Sequence, residues 1–166
     1  MNNFTVAFFG HRRLDEFSPT ERKLEKLIRG LLIDKAFITF LVGRNGDFDQ
    51  LVSSTIRRCK KTVRDDNNSL VWVMPYLSAE YQKNETAFHD YYDEIEICET
   101  SAKGHFRAAH QIRNREMVDR ADLIVFYVET QKGGAYQTLC YTKKQGKEYI
   151  NLAFDERNEN SPHSMG

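Results

Sequence analysis

The sequence is poor in cysteine and has no surplus of either charge. Its three cysteines are widely spaced and form no CxxC pair, which argues against a disulfide framework and against a metal site; they are Cys59, Cys98 and Cys140. Lys and Arg number 24 and Asp and Glu number 24, so the net charge is +0 at pH 7. Because nucleic-acid binders usually carry a basic surplus, we expect that nucleic acid is not a partner.

Long apolar runs are also missing from the chain. No run approaches the ~18 residues that a membrane helix needs, so we expect no membrane association. The first apolar segment, Phe4 to Phe9, is too short for a signal peptide and is followed at once by basic residues. These features predict a cytoplasmic protein, and its length suits one domain.

Short apolar segments alternate with helical ones along the chain. Strands are predicted at residues 4–9, 37–42, 70–74, 122–128 and 148–152, with a further short one at 94–98. Helical spacing or capping signals lie between most of them, clearest at residues 18–32, 47–63, 106–121 and 135–146. Residues 76–92 show only a weak pattern. The alternation predicts an α/β fold with a doubly wound, mainly parallel sheet and helices on both faces.

The predicted domain covers residues 1–154, and the polar residues 155–166 are expected to form a flexible tail. In a doubly wound sheet, ligands bind beyond the carboxyl ends of the strands. Several glycines and polar residues follow predicted strands, and we take them as candidate ligand contacts: Gly10, His11, Arg12, Gly43, Gly46, Asp49, Gly133 and Gly134. Alone, each is equally consistent with an ordinary turn or a helix start.

The glycine pair Gly133-Gly134 stands between a predicted strand and a predicted helix. Backbone N–H groups at such a helix start can hold an anion, so we expect phosphate there. Tyr136 and Thr138 lie in the first turn of this helix, where their hydroxyls can contact phosphate or base. The first glycine loop lacks the GxGxxG spacing of a dinucleotide site.

The basic run Arg113-Asn114-Arg115 lies on the helix that precedes the strand at 122–128. Residues two apart on a helix point to different sides, so only one arginine should face the ligand. We expect this to be Arg113, which is four residues before Met117 on the inner side. An inward arginine needs an anion, which is either the ligand or a nearby carboxylate. Asn114 is a candidate for a hydrogen bond to sugar or base.

Three segments resemble the SLOG superfamily, the Rossmann-like group of the "lonely guy" phosphoribohydrolases and the Smf/DprA proteins. They are FFGHR from Phe8, RNREMVD from Arg113 and GGAYQT from Gly133. The chain is most similar to the bacterial YpsA-type branch, up to about Leu152. The resemblance implies a Rossmann-like doubly wound sheet and a pocket for a nucleotide or a nucleotide derivative.

The resemblance also indicates which chemistry is in question. In the lonely-guy enzymes, an arginine on the crossover helix and a glutamate after the glycine-rich turn cleave a base from a ribose monophosphate. Arg113 matches that arginine, but the glutamate is missing, since Leu139, Cys140 and Tyr141 follow Thr138. The second glycine after the pair is missing as well.

We therefore predict a protein that binds a nucleotide-like small molecule, as a sensor or regulator, without cofactor or metal. Whether it is an enzyme is left open, and so is its oligomeric state, a homo-oligomer included. One alternative is a nucleoside-monophosphate N-glycosidase, for which Asp49 or Glu129 would supply the carboxylate. The other is an interaction protein that keeps the fold and has lost the ligand.

Overall fold

The computed structural model describes residues 2–158, which form one seven-stranded sheet flanked by helices. The strands are β1 (Asn3–Gly10), β2 (Phe37–Val42), β3 (Asn68–Met74), β4 (Glu94–Ile97), β5 (Leu123–Tyr127), β6 (Tyr149–Asn151) and β7 (Glu156–Arg157). The helices are α1 (Phe17–Asp34), α2 (Asp47–Thr62), α3 (Ala79–Lys83), α4 (Glu85–Tyr91), α5 (Glu99–Lys103), α6 (Phe106–Arg120) and α7 (Gly134–Lys144).

The strand order is β4-β3-β2-β1-β5-β6-β7, and all neighbours are parallel except β6 and β7. The chain builds outward from β1 to β4, and α6 then returns it to the other side of β1. This confirms the predicted doubly wound, mainly parallel α/β fold. The strand order reverses between β1 and β5, so the switch point, where such folds bind ligands, lies at the carboxyl ends of these two strands.

Alternate residues of the central strands enter two separate cores, because side chains of a strand alternate between the faces of its sheet. On one face, Phe8 and Phe40 pack with residues of α1 and α2, such as Leu24 and Ile56. On the other face, strand residues such as Phe126 pack with α6 and α7. Burial on both faces explains why the strands appear in the sequence as continuous apolar runs.

Three segments differ in detail from the sequence-based expectation. The weakly patterned residues 76–92 contain α3 and α4, whose Phe88 packs its ring against Trp72 of β3. Helix α1 begins at Phe17, one residue before the expected N-cap. Residues 155–158, at the start of the expected tail, include β7, which pairs with β6, and Asn158 accepts a hydrogen bond from the Tyr149 N–H. Residues 159–166 lie outside the described part.

Within residues 2–158, no helix combines the length and the apolar character that crossing a membrane requires.

Candidate functional site

A cavity of about 310 Å³ opens at the switch point, a volume at the lower end of the range for small-molecule sites. It lies where the carboxyl ends of β1 and β2, the middle of α6 and the start of α7 meet. Its lining residues are Phe8, Phe9, Gly10, His11, Arg12, Gly43, Asn45, Asp49, His110, Gln111, Arg113, Asn114, Gly133, Gly134 and Ala135. Phe8 of one core and Phe9 of the other are among these residues, so both cores reach the cavity.

The loops after β1 and β2 are packed backbone against backbone. A methyl group at Gly46 would lie 2.5 Å from the Arg12 Cα, and the Asp47 N–H donates to the Arg12 carbonyl over 2.8 Å. A methyl group at Gly10 would lie 2.4 Å from the Phe48 ring. Neither glycine has the left-handed backbone that would itself favour glycine, so close packing accounts for both.

Arg113 lies on the floor of the cavity and is only 3% exposed. Its Nη1 donates to the Val73 carbonyl over 2.8 Å, and its Nε donates to Asn114 Oδ1 over 2.9 Å. Burial lowers the pKa of Arg113, and the charge of Asp49 opposes that effect. A guanidinium stays protonated in proteins, so a buried positive charge faces the cavity. Among the described residues, Nη2 has no hydrogen-bond partner.

A short series of hydrogen bonds anchors this arginine to α7. Asn114 accepts from Arg113 and donates through Nδ2 to Thr138 Oγ1 over 3.0 Å. The Thr138 hydroxyl in turn donates to the Gly134 carbonyl over 3.0 Å. The orientation of Arg113 therefore depends on the first turn of α7, because these hydrogen bonds connect α6 with α7.

The first turn of α7 presents open backbone to the cavity. Gly133 has φ 96 and ψ 175, a conformation essentially restricted to glycine, and a methyl group there would meet nothing within 4 Å. Within residues 2–158, no side chain accepts a hydrogen bond from the first N–H groups of the helix, while Gly133, Gly134 and Ala135 all line the cavity. The first N–H groups of a helix lack intrahelical partners, and they carry the positive end of its dipole.

Asp49 is the sole carboxylate among the lining residues of the described chain. It is 9% exposed, and its Oδ2 accepts the Asn45 N–H over 2.9 Å. Burial raises the pKa of Asp49, whereas the Asn45 hydrogen bond and the charge of Arg113 lower it. A methyl group at Gly43 would lie 3.1 Å from Asp49 Oδ2 and 3.2 Å from Arg113 Nη1, so Gly43 keeps both groups accessible.

Two histidines line opposite sides of the cavity. His11 Nε2 accepts the Glu129 N–H over 2.9 Å, which leaves its ring hydrogen on Nδ1. His110 Nδ1 lies 3.2 Å from Asn45 Nδ2. Burial, together with nearby Arg113 and Arg12, lowers the pKa of His110. His110 is therefore neutral at pH 7 and is a hydrogen-bonding group rather than a charge.

Most of the predicted site residues meet in this cavity, but four do not line it. Gly46 packs on the first loop, and Thr138 is fully buried with its hydroxyl used in the anchor described above. Tyr136 packs on the core under α7. Arg115 lies over the Tyr141 ring, with its guanidinium carbon 5.3 Å from the ring centre. Of the two arginines, only Arg113 lines the cavity.

The sequence reasoning did not select six lining residues, which are Phe8, Phe9, Asn45, His110, Gln111 and Ala135. A signal existed for two of them. His110 is three residues before Arg113 on α6, hence on the same helix face, and Asn45 lies in the same loop as Gly43. Within the described chain, no cluster of three or more His, Cys, Asp or Glu side chains is arranged to hold a metal ion.

No protein-family model and no curated protein matches the sequence. Two DprA proteins are among the solved structures that match the fold. DNA processing protein A (DprA) from Streptococcus pneumoniae has a TM-score of 0.63 at 16% identity. DprA from Helicobacter pylori has a TM-score of 0.63 at 14% identity.

Each match covers 89% of this chain, which spans 50% of the first protein and 64% of the second. The fold is that of the DprA structures. The likeness confirms the Rossmann-like fold that the resemblance to the Smf/DprA group implied, and it does not distinguish the YpsA-type branch.

One sequence-based expectation is wrong. Balanced charge led us to predict that nucleic acid is not a partner, yet the Helicobacter pylori structure concerns the single-stranded DNA binding mode of that DprA. Net charge sums over the whole surface, whereas a strand contacts one local face, so a neutral total does not exclude nucleic acid. The cavity shows such a local concentration, since Arg12 and Arg113 line it beside the start of α7.

Proposed function

We propose that the protein binds a phosphorylated nucleotide in the switch-point cavity and acts as a sensor or regulator of the YpsA-type branch. The observation that carries this proposal is the buried guanidinium of Arg113. It faces the cavity and forms no ion pair with a carboxylate of the described chain. A buried charge without a close partner is costly, and an anionic ligand would remove that cost.

The start of α7 supports a phosphate in the same place. Its uncapped first turn borders the cavity and carries the positive end of the helix dipole, which favours anions. Arg12 adds a second positive charge to the lining. The charges of Arg113 and Arg12 and the dipole of α7 thus all favour one anionic group, bound between α7 and Arg113.

Isothermal titration with nucleoside monophosphates tests the proposal. The informative variants are Arg113→Ala, which removes the charge, and Arg113→Lys, which keeps the charge without the planar fork. Arg115→Ala is the matched control, because it removes a neighbouring arginine that faces Tyr141 instead. We expect Arg113→Ala to weaken binding by at least ~1.5 kcal/mol, the scale of a charged hydrogen bond, and Arg115→Ala to leave it unchanged.

Equal affinity of the wild type and a folded Arg113→Ala variant would refute the role of Arg113. If the wild type bound no nucleotide, the proposal would fail, and the alternatives of a nucleic-acid ligand or of an interaction protein without a ligand would remain.

Single-stranded DNA is the second candidate ligand, and the comparison with DprA favours it. The anionic position at α7 would then hold one backbone phosphate of the strand. Fluorescence anisotropy with a labelled thymidine oligonucleotide, titrated at several salt concentrations, measures this directly. Strand binding through phosphates must weaken steeply as salt rises, and binding that is unaffected by salt would count against a strand site.

Hydrolysis of the N-glycosidic bond of a nucleoside monophosphate is the remaining alternative. Asp49 is the carboxylate that could support this reaction. Asp49 lines the cavity, whereas the other candidate, Glu129, does not. We expect weak or absent release of free base, because the carboxylate after the glycine-rich turn is missing and general acid–base help is worth ~10²–10⁴-fold. Chromatography of AMP, GMP, CMP and UMP incubations checks this. Turnover that Asp49→Asn abolishes would establish the enzyme.

A further inference from the structure

Asp49 has an unusual position for a carboxylate in an anion-binding cavity. It is about nine-tenths buried and lines the cavity, and its Oδ2 is already used by the Asn45 N–H. Within the described residues, its Oδ1 accepts no hydrogen bond. Because the side chain lines the cavity, this free oxygen is available to a hydrogen-bond donor on a ligand.

The charges of Asp49 and Arg113 stabilise each other, but Arg113 does not occupy the free Oδ1 of Asp49. The two side chains form no ion pair or hydrogen bond with each other, although each lies close to Gly43. Arg113 instead uses Nη1 and Nε on the Val73 carbonyl and on Asn114. The cavity therefore has two unlike positions, a cationic one at Arg113 and α7, and an acceptor position at Asp49.

A ligand that fits both positions must be anionic at one end and donate hydrogen bonds at the other. Phosphate cannot occupy the acceptor position, because two anions would repel each other at close range. Sugar hydroxyls can, since each donates one hydrogen bond and a carboxylate accepts several. Acidic side chains bind ribose hydroxyls in this way in other doubly wound folds.

We propose that Asp49 binds the ribose hydroxyls of the nucleotide, so that the ligand is a ribonucleotide with free 2′- and 3′-hydroxyls. This inference rests on the proposed function, because the phosphate at α7 places the sugar. It also separates that function from DNA binding. Inside a DNA strand the 2′-hydroxyl is absent and the 3′-oxygen is esterified, so the sugar has no donor for Asp49.

Isothermal titration with matched sugars tests the inference. The probes are the ribonucleoside 5′-monophosphates of the common bases, with their 2′-deoxy and 3′-deoxy counterparts. For at least one base, we expect the ribonucleotide to bind about tenfold or more tightly than either deoxy form, the cost of leaving a charged acceptor unpaired. Equal affinities for all three sugars would overturn the inference and leave the nucleotide site intact. Absence of any nucleotide binding would overturn the proposed function itself.

Asp49→Asn shows whether Asp49 is the source of the discrimination. The asparagine oxygen can still accept the Asn45 N–H, while its NH₂ group would turn a donor toward the sugar. We expect the ratio of ribo to deoxy affinities to fall toward one in this variant. Glu129→Gln is the matched control, a carboxylate at the same sheet edge that does not line the cavity, and it should keep the wild-type ratio. An unchanged ratio in Asp49→Asn would assign the discrimination to another residue and overturn the inference.

Discussion

The two sides of the cavity use glycine for different reasons. On the side of the β1 and β2 loops, Gly10 and Gly46 allow close packing, since an added methyl group would lie 2.4 Å from Phe48 or 2.5 Å from Arg12. On the α7 side, an added methyl group at Gly133 meets nothing within 4 Å. The same residue type thus gives a closed, packed wall and an open one with free N–H groups.

This difference in packing indicates which side of the cavity is open to a ligand. A loop whose glycines are filled by its own neighbours holds the fold together, whereas a glycine turn with empty space leaves its backbone to a ligand.

The largest effect is expected for Gly46→Ala. The new methyl group would overlap the Arg12 backbone, which cannot move without separating the two loops, so we expect about 3 kcal/mol of lost stability. Urea denaturation measures it. Gly30→Ala is the control, because this position in α1 is open and alanine is the better helix former, so stability should rise by up to about 1 kcal/mol. A Gly46→Ala protein as stable as the wild type would contradict the packed wall.

A smaller loss of stability is expected for Gly133→Ala, about 2 kcal/mol, which comes from backbone strain alone. Its effect on nucleotide affinity should be larger than that of Gly46→Ala, provided that both proteins remain folded. Titration of both variants with the same nucleotide checks the order. The reverse order would place the anion on the packed side.

Thr138→Val probes the support beneath the open side. Valine keeps the shape of the side chain and removes the hydroxyl between Asn114 and the Gly134 carbonyl. We expect about 1 kcal/mol of lost stability and a modest loss of affinity, because Arg113 is held less firmly. Double-mutant titration with Arg113→Ala should show non-additive effects on binding, while strict additivity would mean that the anchor does not act through Arg113.

The smallest expected effect is a dependence of stability on pH at the packed side. Burial raises the pKa of Asp49 above its ordinary value of 3.8, so folding favours the protonated form. Its contribution to stability is therefore present below pH 3.8 and is lost as pH rises through the raised folded pKa. Denaturation of the wild type and Asp49→Asn from pH 3 to 7 should show a steeper decline in the wild type. Parallel stability curves for the two proteins would mean that the burial of Asp49 does not make stability depend on pH.

The fold was predictable because strands buried on both faces leave continuous apolar runs, as Leu70 to Met74 does, and because such runs alternate with helical segments. The segment containing α3 and α4 was less predictable. Its helices are short and are interrupted at Asn84, so neither carries enough apolar positions for a clear pattern, although Tyr81, Phe88 and Tyr92 all contact Trp72. The short strand β7 left no signal, because pairing to β6 uses backbone groups and not apolar side chains.

The sequence pattern selected Gly133 by its backbone demand and Arg113 by its helix position, and both line the cavity, while their contact with a ligand stays a prediction. The sequence could not show which candidate side chains form hydrogen bonds inside the protein and are therefore not available to a ligand. Thr138 looks like a ligand contact in the sequence, but its hydroxyl is used by Asn114 and the Gly134 carbonyl. The free oxygen of Asp49 could not be predicted from the sequence either, because only the folded structure shows which acceptor atoms already have a hydrogen-bond donor.

A crystal structure of the protein soaked with a ribonucleoside 5′-monophosphate tests the central claim most directly. We expect phosphate density at the first turn of α7, within hydrogen-bonding distance of Arg113, and we expect the sugar hydroxyls beside Asp49. Density for the phosphate on the packed side at Gly46, or only at a distant surface, would contradict it.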